Sequence, residues 1–383
     1  MGKPSELTGC LWGHALSFLP ENLDEMAVQT GAIRRRRGVE TGEQLLRSFL
    51  LYASQGSFRT ASALSKSSGL LDMTPEGLFY RLSRAEDFLE SVLLSLTREM
   101  MAPVGFRMLI VDATTVCGPG STGTDWRIHV GYDPVEGRPC SIRTTDVHTG
   151  ESLALHPLGP GLLVVGDRFY GTAKEVHTAL AAGSDVLVRV QQGAIRLVED
   201  SGQRLSWPEL ATKVPSTGAV CFEFDMPVPP PGKRKGSGWK TSEATFWHRV
   251  RLMGARNREG EVVWLVTNLS PERLSEEQAY ELYRVRWQVE LYFKRLKSIG
   301  DLDLLNSRDG PTAKASLLAK LILLVLANLL ANQEAFSPYG YRIRRARAKS
   351  MEGTGMHAPK TRLRNPSQQA DKQRQREVAL IKA

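Results

Sequence analysis

Cysteine is scarce in this chain: among 383 residues there are four, Cys10, Cys117, Cys140 and Cys221, with no C-x-x-C pair and no histidine at zinc-ligand spacing beside them. That excludes a disulfide-framed scaffold and a zinc module, and it fits packed thiols in a reducing compartment. A basic-then-apolar leader is also missing from the N-terminus, so the expected location is the cytoplasm, associated with the nucleoid. Nor is there an uninterrupted apolar run of membrane length. The nearest, ASLLAKLILLVLANLLANQ from Ala315, is broken by Lys320 and Asn328, and is expected to be a buried helix covering a sheet. Net charge is missing from the body as well. The whole chain carries 50 Lys+Arg and 41 Asp+Glu, but 12 of the basic and 3 of the acidic residues lie from Pro338 onward, leaving 38 of each. The overall basicity is thus a property of the tail, and any nucleic-acid surface in the body must come from local clustering.

What the chain does have is a helical segment, SEEQAYELYRVRWQVELYFKRLKSIG, carrying Tyr283, Arg286, Glu290 and Lys297. At about 100° per residue these four positions fall within an arc of about 60°, in a line roughly 20 Å long. Leu282, Val285, Val289, Tyr292, Phe293 and Leu296 occupy the adjacent stripe, which is expected to face a core. A carboxylate between cationic donors suits a metal ion beside a phosphate backbone. The plainer alternative is a solvated face laced by Arg–Glu pairs at i, i+4.

Two more carboxylates favour the first reading. Asp112 ends the apolar run of FRMLIVDATTV, and Asp167 ends that of GLLVVGDRFYG; both runs read as buried strands. An acidic side chain there costs several kcal/mol unless it is paired or ligated. Three such carboxylates can hold two divalent ions about 4 Å apart, the arrangement that cuts and joins phosphodiesters. All-oxygen ligation suits Mg²⁺, with Mn²⁺ as a substitute.

The run DATTV, then GDRFYG, then Y-x2-R-x3-E-x6-K followed by SIGDLDLL resembles the DDE transposases of bacterial insertion sequences, and within them the group marked by a YREK signature. The resemblance spans about Ala32 to Gly340. It implies an α/β, RNase H-like mixed sheet flanked by helices, with Asp112, Asp167 and Glu290 as the catalytic and metal-binding triad and two Mg²⁺ ions. It further implies cleavage at the terminal inverted repeats, joining of 3′ ends to target DNA, and a homodimer holding both ends. Tyr283, Arg286 and Lys297 are assigned to phosphates near the cut end, with Arg168 and Lys294 beside them. The second motif departs from the common pattern: Phe169 stands where Gly is usual, which could disturb the turn at Asp167 and leave a copy that binds element ends, as a repressor, without cutting them. A plain nuclease of the same fold is a further alternative.

Four regions are expected. Residues 1–100 read as an all-α DNA-binding domain. In it GEQLLRSFLLYAS stops at Gly56, Ser57 caps FRTASALSKS, and Thr74-Pro75-Glu76 opens a possible recognition helix in GLFYRLSRAEDFL, with Arg34 to Arg37 upstream for phosphate contact. Residues 101–190 and 262–337 would form the catalytic core. Residues 191–261 read as a β-rich insertion containing RLVED, AVCFEFDMPV and TFWHRVRLMGA. Its loop places Lys233, Arg234, Lys235 and Lys240 around Trp239, a ring that could stack on an unpaired base, with Trp247 as the competitor. His129 and His148 read as structural or surface residues. Residues 338–383 read as a disordered basic tail.

Overall fold

A computed structural model of the chain describes residues 12–98, 107–232 and 238–334. The basic tail, Cys10 and the loop residues Lys233, Arg234 and Lys235 lie outside the described residues.

Between residues 12 and 98 every named element is a helix: α1 (Leu23–Gln29), α2 (Gly42–Gln55), α3 (Phe58–Ser67), α4 (Pro75–Leu82) and α5 (Glu86–Arg98). The local signals explain the boundaries. Thr41 and Gln44 form a capping box at the start of α2, and Gly56 closes it in the left-handed region at φ 68°. Ser57 and Thr74 cap α3 and α4, with Pro75 in the first turn of the latter. The segment GLFYRLSRAEDFL, expected to carry a recognition helix, is divided between α4, ending at Leu82, and α5, starting at Glu86. Arg34 to Arg37 are exposed, and the Arg81 guanidinium donates to the Arg35 and Arg37 carbonyls, so α4 holds the shape of this basic loop.

An eight-stranded sheet follows: β1 (Arg107–Val116), β2 (Trp126–Asp133), β3 (Arg138–Asp146), β4 (Leu162–Gly166), β5 (Asp185–Val190), β6 (Ala219–Val228), β7 (Phe246–Arg256) and β8 (Val262–Thr267). Its order is β3-β2-β1-β4-β5-β8-β7-β6. β1, β4 and β5 are parallel, which is why their buried positions form near-continuous aliphatic runs, and the remaining pairings are antiparallel. Two strands of the region expected as a β-rich insertion, β6 and β7, continue the same sheet beyond β8. RLVED forms only isolated bridges, through Val198.

The remaining helices are α6 (Ala173–Ala181), α7 (Trp207–Thr212), α8 (Glu276–Val285), α9 (Trp287–Gly300) and α10 (Gly310–Glu334). α10 contains the long apolar run. It is long and apolar enough to cross a membrane, but 83% of its most apolar window is buried inside the protein. Its chief partners are α5 and α2 rather than the sheet, of which it touches β3. One hydrophobic cluster therefore runs from Leu19 in the helical part through the strands to Leu329. Lys320, the charge that interrupts the run, donates to the carbonyls of Asp301 and Leu304 at 2.7 and 2.6 Å. It thereby satisfies carbonyls just beyond the end of α9, where Asp301 is the one described non-glycine residue at positive φ.

Candidate active site

The register between β1 and β4 places the first two carboxylates. Parallel pairing ends at Val111 opposite Gly166, so Asp112 and Asp167 are each the next residue along, side by side where the parallel strands part. Asp112 is not at the end of its strand, as the apolar run suggested. β1 continues to Val116, held by antiparallel pairing to β2 alone. The turn after β4 is tight: Asp167 Oδ1 accepts from the Phe169 amide at 2.8 Å, and the Tyr170 amide bonds back to the Asp167 carbonyl. Gly171 is obligatory here, because a Cβ would lie 2.0 Å from the Arg189 carbonyl oxygen. Phe169, the departure from the usual motif, is 59% exposed and turns outward under the Arg168 guanidinium rather than onto Asp167.

The third carboxylate comes from the helical segment, which is not one helix. α8 and α9 meet at Arg286, where two i→i−3 hydrogen bonds tighten the turn while φ and ψ stay helical at −51° and −33°. Of the apolar stripe, Val289, Tyr292, Phe293 and Leu296 are buried while Leu282 and Val285 are half-buried against the core, and α9 lies against β1. Arg251 on β7 anchors the entry to α8, donating to the Leu269 and Leu274 carbonyls and pairing with Glu276 at 2.6 Å.

Arg286 joins the two halves of the site. Its Nη1 donates to Asp112 Oδ2 at 3.3 Å and its Nη2 to Glu290 Oε1, while the Tyr283 ring lies beneath the guanidinium at 5.8 Å. Lys297, two turns further along α9, donates to the Thr115 carbonyl of β1 and pairs with Asp303. Asp112, Asp167, Tyr283, Arg286, Glu290 and Lys297 thus gather along one edge of β1. Arg168 and Lys294 are exposed. Trp239 is elsewhere and only 8% exposed, its ring covered by the Arg196 guanidinium at 3.9 Å, so as placed it offers no stacking face. Trp247 is exposed. His129 is buried against Thr145, and His148 is at the surface.

Burial raises the Asp112 carboxyl to about 6; the charges of Asp167 and Glu290 add to this, while the Ala113 amide and Arg286 oppose it. A carboxylate that the motifs did not single out, Glu151, is raised to about 7 by burial and by the charges of Asp167 and Asp112. Nothing in TGESL distinguishes it from an ordinary loop acid, so only the fold could reveal it. Among the described residues, no three His, Cys, Asp or Glu side chains converge as placed on a single metal position. The donor chemistry nonetheless fits a hard divalent cation: the acids are all oxygen donors, they repel one another, and a guanidinium now sits between two of them.

The sign of the pH effect follows from these shifts. Asp112 and Glu151 deprotonate at about 6 and about 7 in the fold but near 4 in an unfolded chain, so the folded state binds more protons between those values. Their contribution to stability therefore falls as pH rises from about 4 to about 7, and is lost above that. In EDTA, the melting temperature of Asp112→Asn should drop less between pH 5 and pH 8 than that of the wild type. An equal drop would show that Asp112 is not the titrating group.

Residues 105–326 match the family profile described as the transposase DDE domain. The chain is 30% identical over 343 residues to the protein named as transposase InsL of insertion sequence element IS186A in Escherichia coli K12, covering 81% of this chain and 91% of that one. It is likewise 30% identical over 344 residues to the Escherichia coli transposase for insertion sequence element IS421, with the same coverage. Among solved structures, it aligns with the piggyBac transposase in a synaptic complex with hairpin DNA at a TM-score of 0.46 and 9% identity, over 96% of this chain and 82% of that one.

Proposed function

Since this chain belongs to the DDE transposase family of bacterial insertion sequences, we propose that it cleaves its element at the terminal inverted repeats and joins the freed 3′ ends to target DNA, a cut-and-paste reaction centred on Asp112, Asp167 and Glu290. The observation that carries this reading is the register: Asp112 and Asp167 stand next to each other just past Val111 and Gly166, and Arg286 ties Glu290 to the same point. Two Mg²⁺ ions, or Mn²⁺, held by these three carboxylates would activate the attacking oxygen and stabilise the leaving one. The sheet order β3-β2-β1-β4-β5, with the first three strands antiparallel and β4 and β5 parallel to β1, supports an RNase H-like core.

Each cation has a task in this reading. Arg286 and Lys297, fixed on α9 against β1, would grip the DNA backbone beside the scissile phosphate, and Tyr283 would hold the Arg286 fork in place. Arg168 and Lys294 would extend the track across the exposed face. Holding the phosphate in line with the carboxylates supplies a large part of the rate enhancement. The helices of residues 1–100, with the exposed loop Arg34 to Arg37, would bind the repeat ends, and two protomers in the cytoplasm would bring both ends together.

The test is excision of a marker placed between the gene's own flanking repeats on a donor plasmid. Wild-type protein with Mg²⁺ should release the marker, and Asp112→Asn should not. A mobility shift on the repeat ends without release would replace this reading with that of an end-binding repressor.

A further inference from the structure

Lys297 is held by a carboxylate outside the triad. Its Nζ lies 3.4 Å from Asp303 Oδ1 and donates to the Thr115 carbonyl of β1 at 3.3 Å. Both side chains stay open to solvent, 36% and 50% exposed, so an incoming anion can reach the pair. The turn that carries Asp303, in the connection from α9 to α10, is firmly fixed. Leu302 and Leu305 on either side of it are buried. Lys320, buried on α10, grips the Asp301 and Leu304 carbonyls, and the Leu304 amide donates to the Asp301 carbonyl at 2.8 Å. Asn306 fastens the same connection to the end of α2, donating to the Gly56 carbonyl at 3.0 Å. The core therefore sets where the Asp303 carboxylate stands.

Local helix stability does not account for this acid. Asp303 follows the C-terminal end of α9, the negative end of its dipole, where a lysine is favoured and a carboxylate is not. An exposed pair at this distance also adds little to the stability of the fold. The cations of the stripe offer another explanation, because each of them engages a carboxylate. Arg286 is bonded to Asp112 and Glu290, both of the candidate triad. Asp303 belongs to no triad and, among the described residues, makes no ion pair except with Lys297. A carboxylate oxygen on an ammonium has the charge and the acceptor geometry of a phosphate oxygen.

We propose that Asp303 is a built-in stand-in for a DNA phosphate, an autoinhibitory contact that occupies Lys297 until the backbone of a bound end displaces it. This rests on the assignment of Lys297 to the DNA backbone made above. Every duplex must break one ion pair to reach Lys297. An end gripped by many other contacts still binds, while stray duplex held by few of them does not.

The test is binding of the full-length protein to a fluorescein-labelled duplex without repeat sequence, read by anisotropy in EDTA at low salt. Asp303→Asn should bind about threefold more tightly than wild type, and the gain should shrink as salt rises. Lys297→Met should bind more weakly, and the double variant should bind as Lys297→Met alone does. Asp301→Asn, which removes the same charge two residues away, should change affinity much less. If Asp303→Asn tightens binding equally in the Lys297→Met background, or Asp301→Asn tightens it as much, the gain is a general loss of negative charge and the proposal fails. If Lys297→Met weakens binding while Asp303→Asn binds no more tightly than wild type, the stand-in fails and Lys297 keeps its assignment. If Lys297→Met binds as wild type does, the assignment of Lys297 fails and the proposal with it. Melting in the same buffer monitors the fold: a loss of several degrees in Asp303→Asn would make the pair structural.

Discussion

Changing Glu290 to Gln should leave a protein that binds the repeat ends as well as wild type does and cuts them at least about a thousandfold more slowly, a loss of about 4 kcal/mol of transition-state stabilisation. Structure and binding should survive because Glu290 is 46% exposed on a helix whose packing comes from its other stripe, Val289, Tyr292, Phe293 and Leu296. A neutral amide there keeps the volume and one acceptor. It gives up the charge that a hard cation needs, and also the ion pair with Arg286. The measurement is single-turnover nicking of a labelled repeat end in Mg²⁺, with a mobility shift on the same duplex. Cleavage within tenfold of wild type would remove Glu290 from the triad.

Arg286→Met is expected to lower end cleavage by about a hundredfold, with Arg286→Lys recovering only part of it. The guanidinium bridges Asp112 and Glu290 with two nitrogens of one rigid fork, a geometry that a single ammonium cannot reproduce. Without it, Asp112 and Glu290 face each other and Asp167 with no countercharge, and the junction of α8 and α9 loses its tie to β1. The same side chain is the one proposed to meet the scissile phosphate, so cations entering among the carboxylates would free it for that contact. Full recovery by Lys would mean that only the charge matters; cleavage by Met within threefold of wild type would place Arg286 outside the reaction.

The departure at Phe169 bears on these expectations. As a sequence it threatened the turn that holds Asp167. In the fold its ring points to solvent, and the turn is set by the Asp167 carboxylate accepting from the Phe169 amide, which any residue but proline supplies. The position that does not tolerate change is Gly171, against the Arg189 carbonyl.

Much of this protein was legible in its sequence because the signals are local. Caps at Ser57 and Thr74, the stop at Gly56, and the aliphatic runs of β1, β4 and β5 depend on neighbours a few residues away. Four of the six residues of the helical stripe, Val289, Tyr292, Phe293 and Leu296, are buried, since side chains at i, i+3 and i+4 share a face whatever that face meets, while Leu282 and Val285 before the break are half-buried. Long-range contacts decided the rest. Whether β6 and β7 stand apart or extend the sheet depends on pairing between β7 and β8, which no local pattern encodes. The partners of α10 are helices more than 200 residues earlier, so its apolar run could only be read as buried, and not against what. Trp239 looked like an open ring in a basic loop until Arg196, 43 residues away, was found covering it. The sequence by itself singled out Asp112, Asp167 and Glu290 as candidates, because charge at the end of an apolar run or on one helix face is a one-dimensional pattern. Only the tertiary structure decided that Arg286 joins Asp112 to Glu290 and that Asp112 and Asp167 stand side by side, because those meetings are made by strand register and by a helix junction more than 170 residues along the chain from β1.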